Sequence, residues 1–279
     1  MTCSEATARI EAILDGTLPP SERAQVEAHL AGCPACAAEL ARSRAAVELT
    51  RASVLAASEG SHSHGESEAL VQMFRAHGHH GTSPRVADVP LGILSHRAAE
   101  GDHIAYLAET DAEIEGSAGF LRAGFDADEV GLLLGHEESI ARTLQALRKG
   151  GLDPGDLTRA GRLHTVAGTG GGSLLAEVGG RISEAVTQGL PRVRVLASLG
   201  WDRPGWPQER ELLRLEAETT EAIRRLPTLA MCVYDLRALS PHVLQRGGLE
   251  CHPWTLQRGE LRANTQRVPA QEFLERLGR

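Results

Sequence analysis

His103-Ile104-Ala105-Tyr106-Leu107-Ala108-Glu109 is an apolar run of strand length, and a helical pattern from Ile114 to Gly124 separates it from the next such run, Glu129 to Leu134. The alternation continues through a helix at Glu138 to Gly150, a strand at Arg162 to Ala167, a helix at Ser173 to Gln188 and a strand at Arg192 to Leu199. It closes with a helix at Gln208 to Arg225, a strand at Thr228 to Tyr234 and a helix at Pro241 to Gly247. Strands this uniformly apolar bury both faces, so five strand and helix pairs predict an α/β domain built on a mostly parallel sheet covered on both sides. A last strand, Thr255 to Asn264, is expected antiparallel at an edge, ahead of a short terminal helix at Pro269 to Leu277.

The remaining composition agrees with a soluble chain that has a core. Of 279 residues, 42% are hydrophobic and 24% charged, enough to exclude wholesale disorder. A formal charge of -8 argues against a nonspecific grip on nucleic acid or anionic lipid, so no direct nucleic-acid partner is expected. The longest apolar runs fall well short of the roughly 18 residues of a membrane helix, and Met1-Thr2-Cys3-Ser4-Glu5 lacks the layout of a secretory signal. The expected location is therefore the cytoplasm, where five cysteines point to metal or redox chemistry rather than a disulfide framework. One lysine, Lys149, stands against 28 arginines, a bias of G+C-rich bacterial coding sequence.

Residues 1–57 read as a separate helical module. Ala6, Ile10, Ile13 and Leu14 recur at helical spacing before a break at Gly16 to Pro20. Ser21 suits the N-cap of a second helix that ends at Gly32, and a third helix opens near Pro34. Leu40, Val47 and Val54 repeat every seven residues, which leaves open either ordinary packing or a short homodimer seam. Residues 58–88 read as a Gly, Ser, His and Pro linker with five of the twelve histidines, and residues 89–279 as the α/β domain.

His29, Cys33 and Cys36 form H-x3-C-x2-C, with Cys3 26 residues before His29. Tetrahedral zinc explains this economically: a C-x2-C turn opening a helix aims two thiolates at one ion, His29 adds a third donor from the preceding helix, and Cys3 closes the shell. Four protein donors make such a zinc structural or regulatory, and oxidation of its thiolates would couple redox state to folding. With these four residues and the flanking Leu18-Pro19-Pro20 and Val26-Glu27-Ala28-His29-Leu30, the stretch Met1 to Leu40 resembles the zinc-finger module of zinc-binding anti-sigma factors. The resemblance implies a clamp on a sigma factor, commonly an extracytoplasmic-function one, and release on oxidation in some members. Many relatives continue into a membrane helix; this chain does not, which implies a regulator free of the membrane.

Conventional catalytic signatures are missing from the larger domain. Gly168-Thr169-Gly170-Gly171-Gly172-Ser173 lacks the lysine of a phosphate-gripping loop and reads as a flexible turn, and His136-Glu137-Glu138 has no second histidine at the spacing of a zinc protease. The chain is expected not to be an enzyme. His103, Asp235, His252 and Trp201 lie at or just beyond strand ends, where open α/β sheets bind ligands, and read either as ordinary caps and plugs or as parts of a pocket.

From His103 through Asn264 the chain resembles the MEDS family, the sensory domain of methanogen and methylotroph regulators. The carrying residues are His103 to Glu109, Phe120-Leu121-Arg122-Ala123-Gly124-Phe125, Val130 to Leu134, Met231-Cys232-Val233-Tyr234-Asp235 and His252-Pro253. The resemblance implies a RecA-like α/β fold without a working nucleotide loop and a role in sensing small, hydrocarbon-like molecules. The candidate ligand-binding residues, taken from the first strand and the other strand ends, are His103, Tyr106, Glu109, Trp201, Asp235 and His252. The combined expectation is a transcription regulator in which this sensor controls the zinc module. The alternatives are a constitutive scaffold and an enzyme on the α/β domain.

Overall fold

Of the four central strands two expose no residue and two expose only their last in part, which a sheet achieves only between two layers. The fully buried strands are β3 (His103–Ala108) and β4 (Val130–Gly135). The others are β6 (Val193–Ser198) and β7 (Thr228–Asp235), half-buried at Ser198 and Asp235. The computed structural model describes residues 1–14, 18–38, 40, 88–168, 174–224 and 226–278. Its two compact units are Met1–Gly65 and Glu66–Arg279.

In the larger unit, β5 (Leu163–Ala167), β8 (Trp254–Gln257) and β9 (Glu260–Ala263) complete a seven-stranded sheet of order β5-β4-β6-β7-β3-β8-β9. Every neighbouring pair is parallel except β8 with β9. A small hairpin of β1 (Val89–Pro90) and β2 (Arg97–Ala98) precedes the sheet. The mostly parallel α/β sheet is thus as the apolar alternation predicts. The last strand is different: Thr255 to Asn264 is a hairpin, with β8 parallel to β3 and β9 antiparallel at the edge. Its turn residues Arg258 and Gly259 have φ of 49° and 74°, the doubly left-handed turn that joins twisted strands.

One face is covered by α4 (Asp111–Gly116), α5 (Ala118–Phe125), α6 (Glu137–Lys149) and α7 (Pro154–Arg159), through residues such as Phe120, Leu121 and Leu147. The single helix expected at Ile114 to Gly124 is broken in two, because the Ser117 hydroxyl donates to the Ile114 carbonyl at 2.7 Å and takes over a main-chain partner. The opposite face is covered by α8 (Leu174–Thr187), α9 (Glu209–Ile223) and, through Val243 and Phe273, by α10 (Pro241–Val243) and α11 (Ala270–Gly278). α10 runs straight into a π-helical turn, Leu244–Glu250, which no periodicity in the sequence announces. The glycine at Gly168 is a packing device: a Cβ there, or at Gly200, would collide with the Trp206 ring. Residues 169–173 of the glycine run lie outside the described residues.

At the amino ends of β4 and β6, Glu129 and Arg194 form an ion pair with both side chains 1% exposed. Arg194 also donates to the Phe120 carbonyl at 3.0 Å, and Arg192 bridges Glu129 to Glu100. In the smaller unit α1 (Cys3–Thr7), α2 (Ile10–Leu14) and α3 (Pro20–Gly32) precede a further helical stretch at 34–38. α3 starts at Pro20 rather than after a Ser21 cap, since a proline in the first turn costs no hydrogen bond. Its buried apolar residues among those described, including Ala6, Ile10, Val26 and Leu40, make a very small core. All of the expected 58–88 linker but Asp88, and the heptad positions Val47 and Val54, lie outside the described residues. No helix among the described residues is long and apolar enough to cross a membrane.

Removing one partner of the buried pair leaves the other charge uncompensated. Glu129→Ala is therefore expected to cost about 3–5 kcal/mol, read as a lower urea midpoint, whereas Glu129→Leu combined with Arg194→Met recovers most of that loss.

Candidate metal centre and sensory layer

α1 begins at Cys3, which a capping box fixes: the Thr2 hydroxyl accepts from Glu5 N–H and the Glu5 carboxylate accepts from Thr2 N–H at 2.7 Å. α3 carries His29 in its last turn and ends on Cys33, whose extended backbone turns the chain into the next helix with Cys36. The ligand atoms of Cys3, His29, Cys33 and Cys36 all lie within 4.8 Å of one another. Cys3 Sγ and Cys33 Sγ are 3.8 Å apart, too far for a disulfide. Tetrahedral zinc with sulfur bonds of about 2.3 Å requires sulfurs about 3.8 Å apart.

His29, one of the four clustered residues, has its Nε2 buried with no hydrogen-bond partner. The Cys36 N–H holds the Cys33 thiol below its ordinary range, while burial and the neighbouring sulfurs push Cys36 up to about 11. Three thiols cannot ionise together without a cation, and a divalent ion removes that conflict by holding all three as thiolates. The residues present therefore fit zinc.

The second constellation lies in the larger unit, between the sheet and α9. In the parallel register His103 of β3 stands opposite Ala230 of β7, and Ala105 opposite Cys232. His103, Cys232 and Tyr234 consequently share one face. On α9, Glu216 and Thr220 are one turn apart and face it. His252 arrives from the segment after the π-helix. His103 and His252 are 0% exposed, Glu216 2% and Cys232 6%.

Their contacts are dense. Tyr234 donates to Glu216 Oε1 at 2.6 Å, Cys232 Sγ is 3.4 Å from Glu216 Oε2, and His103 Nε2 is 3.2 Å from Cys232 Sγ. The two imidazole rings are 4.0 Å apart between centroids. Burial pushes Glu216 up to about 7 and His252 down to about 4, and lowers His103 well below its ordinary value. Both imidazoles are neutral at pH 7, so each offers one N–H and one lone pair.

Of the six candidate ligand-binding residues, the structure brings together His103 and His252, and stacks Trp201 beside Tyr234 at 6.3 Å in the same layer. Tyr106 points to the opposite face. Glu109 and Asp235 stand at the other end of the strands, where Glu109 pairs with Arg258, and Asp235 with Arg237, which also holds Asp111. The six do not form one pocket, because β3 presents its ends to opposite edges of the sheet and its alternate side chains to opposite faces. Sequence reasoning missed Glu216 as a site residue and gave Cys232 no role. Glu216 was findable: its position relative to Leu212, Leu213, Ala217 and Thr220 puts a carboxylate on the apolar side of a helix.

Comparison with known protein families gives two matches. The model for MEDS, the methanogen/methylotroph, DcmR sensory domain, matches residues 102–253, more than half of the chain. A zinc-finger family model matches residues 3–37 and so contains all four clustered donors. No curated protein matches the chain.

Because the described residues of the small unit have little apolar core, its fold is expected to depend on a bound metal. Cys33→Ser and His29→Ala are each expected to lower zinc content by one equivalent and to reduce helical far-UV circular dichroism, with the α/β transition in thermal unfolding retained.

Proposed function

The chain belongs to the MEDS family, and from that premise we propose that it is a cytoplasmic bacterial regulator that holds a sigma factor, or another transcription protein, through its zinc module. The α/β domain governs that hold by binding a small, hydrocarbon-like molecule. The observation that carries this reading is the joining in one chain of a sensory domain and a zinc-finger module whose four donors converge as zinc requires. A zinc module and a sensory domain make it a signalling and regulatory protein; the partner, the ligand and the redox response are our inference.

Two physical features favour it. The module's thiol cluster is the more accessible of the two, with Cys3 exposed and Cys33 half-buried, so oxidation can reach it and release the ion. Loss of the ion removes the fold that a partner would recognise. A small molecule that prefers one state of the sensor by a few kcal/mol would suffice to shift partner occupancy. We assign the α/β domain no catalytic role, in keeping with the missing nucleophile, base and phosphate-loop patterns.

Affinity capture with the full-length chain under reducing and oxidising conditions tests the reading. A sigma factor recovered from reduced protein and lost after oxidation is the expected result. The same partners in both conditions would remove the redox mechanism, and no transcription protein in either would favour a scaffold with another client.

A further inference from the structure

The cluster between β3, β7 and α9 has a donor and acceptor pattern that its own protons cannot satisfy. His252 Nδ1 lies 2.9 Å from the Gly247 carbonyl, which only accepts, so the ring proton is on Nδ1 and Nε2 bears a lone pair. Thr220 Oγ1 faces two carbonyls, Cys251 at 2.9 Å and Glu216 at 3.3 Å, and lies 2.7 Å from His103 Nδ1; with its one proton given to a carbonyl it accepts from Nδ1, the tautomer that leaves a lone pair on His103 Nε2. Both lone pairs point at Glu216 Oε2, each from 3.5 Å. Cys232 has one proton for two acceptors, His103 Nε2 and Glu216 Oε2.

A network without a cation fails at two points. A proton on Glu216 Oε2 would have to bridge 3.5 Å to either imidazole, beyond the 2.5–3.0 Å or so of an O–H hydrogen bond. His252 Nε2 is buried with no hydrogen-bond partner at all. An ionised Glu216, whose hydrogen bonds come from the neutral Tyr234 and Cys232, would instead leave a bare charge in the core.

We propose that His103 Nε2, Glu216 Oε2, Cys232 Sγ and His252 Nε2 are the four ligands of a second metal site, filled by one zinc ion and assigned by neither family match. Tetrahedral bonds of about 2.0–2.3 Å put neighbouring N, O and S donors about 3.3–3.6 Å apart. The spacings along the cluster are 3.2 Å from His103 to Cys232, 3.4 Å from Cys232 to Glu216 and 3.5 Å from Glu216 to each histidine.

Three ligands already have the outer partners that metal ligands use: Thr220 on His103, the Gly247 carbonyl on His252 and Tyr234 on Glu216. Two imidazoles, a thiolate and a carboxylate suit zinc, and the dication would cancel the charges of Glu216 and Cys232. The site is closed, with four protein donors and no open position, so the ion would tie two strands, the covering helix and the segment after the π-helix together. This proposal is independent of any partner or small-molecule ligand and rests on metal content.

Full-length reduced protein loaded with zinc and freed of excess ion is the test material, with zinc measured per chain. Wild type is expected to hold two equivalents, Cys33→Ser one, His252→Ala one, and the double variant none. Cobalt in Cys33→Ser should give tetrahedral ligand-field bands with charge transfer from a single thiolate, lost in Cys33→Ser combined with Cys232→Ala. Cys33→Ser touches none of the four ligands, so it keeps the test decisive even where a core variant fails to fold. Cys33→Ser protein that shows the cooperative α/β transition yet binds no zinc would overturn the proposal. So would one equivalent that survives His252→Ala and Cys232→Ala when each is combined with Cys33→Ser.

Discussion

A parallel sheet hides both of its faces, and everything else in the larger unit answers to that constraint. Helices must cover both sides, which the chain supplies, and any polar side chain in the two layers must find its partners there. Glu129 and Arg194 meet the demand by neutralising each other at the amino edge of the sheet. Glu216 does not: it sits under α9 at 2% exposure, with two neutral histidines, a thiol and a phenol around it. The same desolvation that pushes its carboxyl up to about 7 makes the pocket receptive to a cation, because a dication converts four competing groups, Glu216, Cys232 and the two histidines, into four ligands.

The two units illustrate opposite uses of a convergent donor set. Among the described residues of 1–40 the apolar core is small, and the donors Cys3, His29, Cys33 and Cys36 converge between helices that have little other reason to stay together. In the α/β unit the core is large, and the polar cluster is enclosed by it. Exposure separates the chemistry further. Cys3 is open to solvent, whereas Cys232 and Cys251 are buried.

Much of the fold was legible because apolar runs of strand length alternated with helical periods, and the observed strands β3 to β7 fall where those runs are. What was not legible has physical causes. The break at Ser117 depends on a side chain competing for one carbonyl, the hairpin at Arg258-Gly259 on two left-handed residues, and the π-helical turn on packing around Tyr234 and Trp201, against which Gly247 lies. The zinc donors were legible because three of the four are close in the chain and the ion imposes their spacing. Tyr106, Glu109 and Asp235 were grouped with His103 by strand proximity alone, and strand direction and alternation send them elsewhere.

The sequence by itself determined the elements and the first metal centre, since periodicity and short-range ligand spacing are local properties that survive without coordinates. Only the tertiary structure decided that His103, Glu216, Cys232 and His252 meet. They are separated by as many as 149 residues in sequence, and their encounter depends on the parallel register of β3 with β7, on the face that α9 turns inward and on where the π-helical turn releases the chain. Register and facing are collective outcomes of packing, so no local pattern in any one of those segments could report them.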